Sequence, residues 1–223
     1  MTDIRSLQSV RDNVLSIAAH RFIGNHLHSK PLARSARANP GIEIIANIGP
    51  LDQAIEKIRH RDVDLGLFLA QGEARGINSE ILGRQRLVFL AAPDHPLASR
   101  KRLGYRDLAD HPFIGPVRGT EYARLLRRIF EAVGFANHNT ITQSQNTLIR
   151  RELILSGIGF SCALETGWKD DLADGLLVIL DVAGNSLSLE VRVGSLPDRK
   201  FRKASRKFLA YLDIFKAERA FDS

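Results

Sequence analysis

Cysteine is nearly missing from this 223-residue chain, which has one, Cys162. A lone cysteine excludes an intramolecular disulfide framework and any cysteine-rich zinc module. No apolar run approaches the ~18–20 residues that a membrane helix needs. The segment Met1–Arg11 is polar and charged, with no apolar signal core, so a cytoplasmic location is expected. Catalytic signatures are missing as well. No G-x-S-x-G surrounds a serine, and no G-x-x-x-x-G-K-[ST] is present. Gly157-Ile158-Gly159 follows a helix pattern and opens a strand, the reverse of a dinucleotide fingerprint. His26 and His28 stand two apart and face different sides of a helix, with no partner ligand at metal spacing, so no metal is expected. Nothing assembles a nucleophile, a base and an orienter, so the chain reads as a non-enzyme that needs no cofactor.

Acidic charge is in the minority, with 25 Asp and Glu against 32 Lys and Arg, a net charge of +7. A basic balance raises the question of a nucleic-acid partner. The excess lies in two places, His95–Glu131 and Ser195–Ser223, each with eight basic and four acidic residues. The second interleaves its cations with Phe201, Ala204, Phe208, Leu212 and Phe215, the spacing of a helix with one apolar and one basic face. No zinc-finger spacing, zipper heptad or helix-turn-helix accompanies either, so both read as solvated faces, not base readers.

What is present is an α/β pattern. Val14–Ala19, Ile42–Ile48 and Val63–Leu69 read as strands, separated by helices over Ile23–Ala38 and Leu51–Arg59. Pro31 must sit early in its helix or kink it. Strands follow at Ile77–Leu82 and Arg86–Ala92, then a short helix over Leu103–Ala109 and a very short strand at Phe113–Gly115. The order continues with a helix over Glu121–Val133, a strand at Thr140–Gln143, and a helix over Asn146–Ser156 stopped by Gly157. Strands at Ile158–Ala163, Leu176–Leu180 and Ser188–Leu196 precede a final helix, Lys203–Glu218. Asp170-Asp171 reads as a surface pair in a polar loop, and Arg5–Asp12 as a helical lead-in. Two α/β lobes with no flexible linker between them are therefore expected.

Several segments, in order, carry a resemblance: Asp64-Leu65-Gly66-Leu67, Arg86–Ala98 (RLVFLAAPDHPLA), Asp107–Ile114 (DLADHPFI), Leu153–Ser161 (LILSGIGFS) and Gly175–Val178. Together with Asn39–Glu43 they resemble the effector-binding domain of LysR-type transcriptional regulators over about residues 13–215. The resemblance implies a type II periplasmic-binding-protein fold, two Rossmann-like lobes joined by two crossover strands, with an effector in the interlobe cleft. It implies lobe I at residues 13–92 plus 194–223 and lobe II at 93–193, with the last helix returning to lobe I. Residues 1–12 would end a linker helix, and DNA contact would belong to an N-terminal winged helix-turn-helix that this sequence lacks. It implies a homodimer, or a tetramer in the parent, with the helices over Ile23–Ala38 and Thr147–Ser156 at the interface. The competing reading is a free-standing solute-binding protein of the same fold.

Ligands of parallel α/β sheets bind where strands end and helices begin. In the first lobe those places are His20, Arg21 and Phe22, then Gly49 and Pro50, then Phe68 and Leu69. In the second they are Pro116, Val117, Arg118, Gly119 and Thr120, and Ser144, Gln145 and Asn146. The family often has Ser or Thr where this chain has Arg21-Phe22 and Gly49-Pro50. Arg118, with Arg21 or His20, is accordingly expected to bind a carboxylate or phosphate, because an arginine fork donates two parallel hydrogen bonds. The alternative is that both arginines are solvated or form salt bridges. Phe22 and Phe68 fit either a stacking wall or the core.

Overall fold

The computed structural model describes residues 12–27 and 29–217. The expected linker-helix tail lies outside the described residues apart from Asp12, as do Glu218 and the residues after it. The described chain forms two compact units. One runs to Arg84 and resumes at Leu189, and the other is Gln85–Ser188. The exchange points fall inside two long strands, eight and five residues earlier than the expected limits at 92 and 193.

In the first unit, β1 (Val14–His20) lies between β2 (Glu43–Gly49) and β3 (Leu65–Ala70), parallel to both. β9 (Ser188–Ser195) adds antiparallel to β3. All six residues of β3 are buried, which is why it reads as an unbroken apolar run and not an alternating one. α2 (Leu51–Arg59) begins where Gly49-Pro50 ends β2 and buries Leu51, Ala54 and Ile58 against β1 and β3. Gly66 permits that approach, since a Cβ there would stand 2.0 Å from Cδ1 of Ile58.

The single helix expected over Ile23–Ala38 is instead a π-helical turn, Ile23–Leu27, and a separate helix α1 (Ser29–Ala38). Pro31 is the third residue of α1, where its missing N–H breaks no intrahelical bond. The final helix α7 (Lys203–Ala217) packs on α1 and β1 through Ala204, Phe208, Leu212 and Phe215. Part of the basic C-terminal segment is not simply solvated, contrary to the sequence reading. Lys207 donates to Oδ1 of Asn39 at 2.6 Å, Lys216 pairs with Glu80, and Arg199 pairs with Asp64. Asp64 is 2% exposed, and its Oδ2 also accepts the Ser16 N–H at 3.0 Å. Glu190 on β9 is a second buried acid, bonded to Arg192 at 2.8 Å, Arg84 at 2.9 Å and the Gly72 N–H at 3.2 Å. Burial pushes its carboxyl up, but the hydrogen bonds from Arg192 and Gly72 and the arginine charges outweigh this and hold it below the usual range.

The second unit is built around β4 (Asn78–Ala91), one strand where the sequence reading has two. The polar stretch Gly83-Arg84-Gln85 reads as a break, yet Gln85 is buried and continues the strand. β7 (Ser161–Leu164) and β8 (Val178–Ile179) pair antiparallel with β4. β5 (Phe113–Gly115) and β6 (Thr140–Gln143) run parallel and join the chain ahead of β7 through the Phe113–Phe160 bridge. Alternation along β4 sends Val88 and Leu90 to one face, with Ile114, Ile154, Ala163, Trp168 and Leu177. Phe89 points to the other face, where Phe113, Phe130, Phe135 and Phe160 meet it or each other at ring-centroid distances of 5.0–6.3 Å.

Four helices complete this unit: α3 (Tyr105–Ala109), α4 (Glu121–Ala132), α5 (Thr147–Leu155) and α6 (Lys169–Ala173). α6 corrects the reading of Asp170-Asp171 as a loop pair: both lie in this helix, and Asp171 is bonded to Arg151 at 2.7 Å. Among the described residues no helix is long and apolar enough to cross a membrane.

Candidate functional site

The second unit brings its two sets of candidate residues together. β5 and β6 are parallel neighbours, with Gly115 opposite Gln143, so both strands end at the same edge. The Ser144 N–H donates to the Gly115 carbonyl at 3.0 Å, and the Arg118 N–H to Oε1 of Gln143 at 2.9 Å. Two helices start from these loops. Thr120 caps α4, accepting the Ala123 N–H at 3.2 Å and donating to the Val117 carbonyl at 2.8 Å. Asn146 caps α5, accepting from the N–H groups of Leu148 and Ile149. Ser144 accepts the Asn146 N–H at 3.0 Å. The polar side chains of Thr120, Ser144 and Asn146 are therefore already engaged in shaping the helix starts. Both helix N-termini remain partially positive.

Beside α4 lies a cavity of about 400 Å³. Phe113, Leu126, Phe130 and His138 give it an apolar and aromatic lining, and Arg118, Arg124 and Arg127 line it too, with Pro116 and Gly119. Arg124 pairs with Glu121 at 2.5 Å and Arg127 with Glu131 at 2.8 Å. Among the described residues no carboxylate pairs with Arg118, which makes it the open cation of the three. The His138 ring stacks on Phe135, and its Nδ1 lies 2.9 Å from the Phe135 carbonyl. Burial lowers the His138 pKa, the Phe135 contact raises it, and the Arg118 charge lowers it again, leaving a net fall. His138 is thus a neutral wall near pH 7.

In the first unit, His20 and Gly49 are register partners at the ends of β1 and β2, with Arg21 and Phe22 next in the chain and Pro50 opening α2. Arg21 is exposed, and Phe22 is half-buried against His26 at 5.2 Å. Phe68 and Leu69 are different. Both are 2% exposed or less inside β3, so Phe68 belongs to the core and is no stacking wall. A strand covered on both faces leaves no side chain over for a ligand.

One residue escaped the sequence reading. Arg150 in α5 is buried, four residues before the buried Ile154 and on the same helix face. An arginine on the apolar stripe of a short helix was the available signal.

Two α/β units that exchange chain through two long strands, with loops and helix starts gathered at strand ends, define a ligand-binding protein of the two-lobed type. The chain matches the model described as "LysR substrate binding domain" over residues 8–214 and belongs to that family. It is 23% identical over 198 residues to the HTH-type transcriptional regulator CysL of Bacillus subtilis, covering 89% of this chain and 66% of that one. The chain thus spans just under two thirds of that relative's length. The Synechocystis PCC6803 CcmR regulatory domain in complex with 2-PG superposes with a TM-score of 0.83 at 20% identity, covering 94% of this chain and 99% of that one. The effector-binding domain of QuiR in complex with shikimate gives 0.79 at 17% identity, covering 92% and 97%. The fold is the type II periplasmic-binding-protein fold of these effector-binding domains.

Proposed function

We propose that this chain is the sensing domain of a transcriptional regulator, that its effector is a small anion, and that it catalyses no reaction. The observation that carries this is the edge of the second unit. There an open arginine, paired with no acid among the described residues, and the first turn of α4 line a cavity of mixed apolar and basic character, and α5 starts from the neighbouring strand end. On this unit the proposed effector contacts are Pro116, Val117, Arg118, Gly119 and Gln145. DNA contact lies in a separate module of the full regulator, which works in the cytoplasm beside the chromosome. The experiment is a thermal-shift titration with carboxylates, phosphates and neutral sugars, since a ligand that binds only the folded state raises its stability. An anion should raise the melting temperature, and Arg118→Ala should weaken its binding about 10–100-fold, the worth of a charge-assisted hydrogen bond. Equal affinity in both proteins would sink the role of Arg118.

The assembly is proposed to be a homodimer. Leu148 and Ile149 on α5 are 71% and 52% exposed, and Ile141 on the edge strand β6 is exposed as well. Ile45 and Ile48 on β2, an edge strand of the first unit, are likewise exposed. Apolar side chains clustered on edge strands mark association surfaces. Here α5 and β6 of one copy meet α1 and β2 of the other. Sedimentation should give a dimer for this chain and a monomer for Ile149→Glu. A dimer that survives this charge unchanged would place the interface elsewhere.

A further inference from the structure

Arg150 holds a charge that the fold does not answer. It sits in the first turn of α5, its N–H bonded to the Asn146 carbonyl at 3.1 Å, and is 8% exposed. Its Nε and Nη1 are buried with no hydrogen-bond partner among the described residues. Those two nitrogens carry three of the five donors of the guanidinium, which cannot shed its proton in a protein. Burying an ion without a counter-charge is strongly unfavourable. The position compounds this, because a helix N-terminus favours anions over cations.

Among the described residues no acid pairs with Arg150. Glu152, two residues on, is bonded to Arg151, and Glu121, next to Tyr122 in α4, is bonded to Arg124. Arg150 acts electrostatically on two other groups, the Tyr122 hydroxyl in α4 and the Cys162 thiol in β7. Burial pushes Tyr122 up to about 12 and raises Cys162 as well, despite the arginine's opposing charge. Both are neutral near pH 7 and cannot serve as counter-ions. A helical side chain leans toward its own N-terminus, which for Arg150 is the end of α5 capped by Asn146.

We propose that Arg150 is the anchor for the acidic group of the effector: a carboxylate or phosphate accepts hydrogen bonds from its Nε and Nη1 at the first turn of α5. This rests on the sensing role proposed above and adds the residue that fixes the anion. Arg118 and Arg150 then differ in kind. Arg118 is exposed and screened by salt, and draws the anion in. Arg150 is desolvated and holds it. One oxyanion relieves the missing acceptors, the uncompensated charge and the helix end together.

The test is thermal unfolding of the 223-residue chain and its Arg150→Met and Arg150→Lys variants. The probes are inorganic phosphate, benzoate, succinate, and neutral benzamide and glucose. Without a probe, Arg150→Met should melt at or above the wild type, because it removes a buried unpaired charge. It should bind the responding anion about 30-fold more weakly or worse. Arg150→Lys should keep part of the response, since it retains the charge and loses the fork. Response to phosphate alone assigns a phosphate, and response to benzoate or succinate alone a carboxylate; either, weakened in Arg150→Met, supports the anchor. An unchanged anion affinity in both variants overturns it. So does a Met variant that melts well below the wild type, which would show a structural acceptor. Benzamide or glucose stabilising all three proteins alike, with the anions silent, would keep the sensing role and remove the anchor. Silence from every probe would overturn both.

Discussion

Asp64→Ala should cost about 3–5 kcal/mol of unfolding free energy, the range for removing one partner of a buried ion pair. The carboxylate joins three parts of the first unit. It accepts the Ser16 N–H of β1, stands just before β3, and pairs with Arg199 beyond β9. Deleting it leaves a β1 N–H without its acceptor and strands an arginine whose side chain is 17% exposed. Such an arginine cannot simply turn to water, so the loss should exceed the ~0–1 kcal/mol of a surface pair. Urea unfolding followed by circular dichroism measures it. Arg199→Ala added to Asp64→Ala should cost little more, because the pair is already broken. A loss below about 1 kcal/mol for Asp64→Ala would mean that the pair is only a surface contact.

Phe160→Ala should cost about 3–5 kcal/mol as well, by the transfer and cavity terms of a large core deletion. The ring is fully buried among Phe89, Phe113, Phe135 and His95. Its backbone also joins the two parts of the second unit's sheet, donating to the Pro112 carbonyl and accepting from Ile114. Loosening that bridge disturbs β5, and β5 sets the Arg118 loop. The variant should therefore lose anion-induced stabilisation along with stability, while Phe160→Leu, which fills more of the space, should lose less of each. A variant that unfolds at wild-type urea would show that the aromatic layer repacks without cost.

Much of this architecture was legible because its signals are local. α2 occupies the Leu51–Arg59 span that Gly49-Pro50 and the apolar spacing mark out, and β5 and β6 have their expected limits. The continuity of β4 was not legible, because Gln85 looks like a break until the strands around it bury it. α6 was hidden by two acids, one of which, Asp171, has its partner Arg151 some distance away in sequence. The strand-end rule indicated the right loops in the second unit. It could not say that Thr120, Ser144 and Asn146 would be occupied as caps, or that Phe68 would lie in the core. The burial of Arg150 depends on packing that no single segment encodes.

The exchange of chain within β4 and β9 also orders how the molecule is made. The second unit is one continuous stretch, Gln85–Ser188, and can complete its contacts while the ribosome still holds the rest. The first unit cannot, because β9, α7 and the Arg199 that answers Asp64 come after the second unit in the chain. Joining its two halves would ordinarily mean closing a loop of ~100 residues, with the entropy that entails. The folded second unit removes most of that cost. Within it the Leu87 N–H meets the Leu187 carbonyl at 2.8 Å, so the two ends of the insert already lie side by side. The segment after the second unit then adds to a half-built sheet, and Asp64 waits for its arginine until the whole second unit has been made.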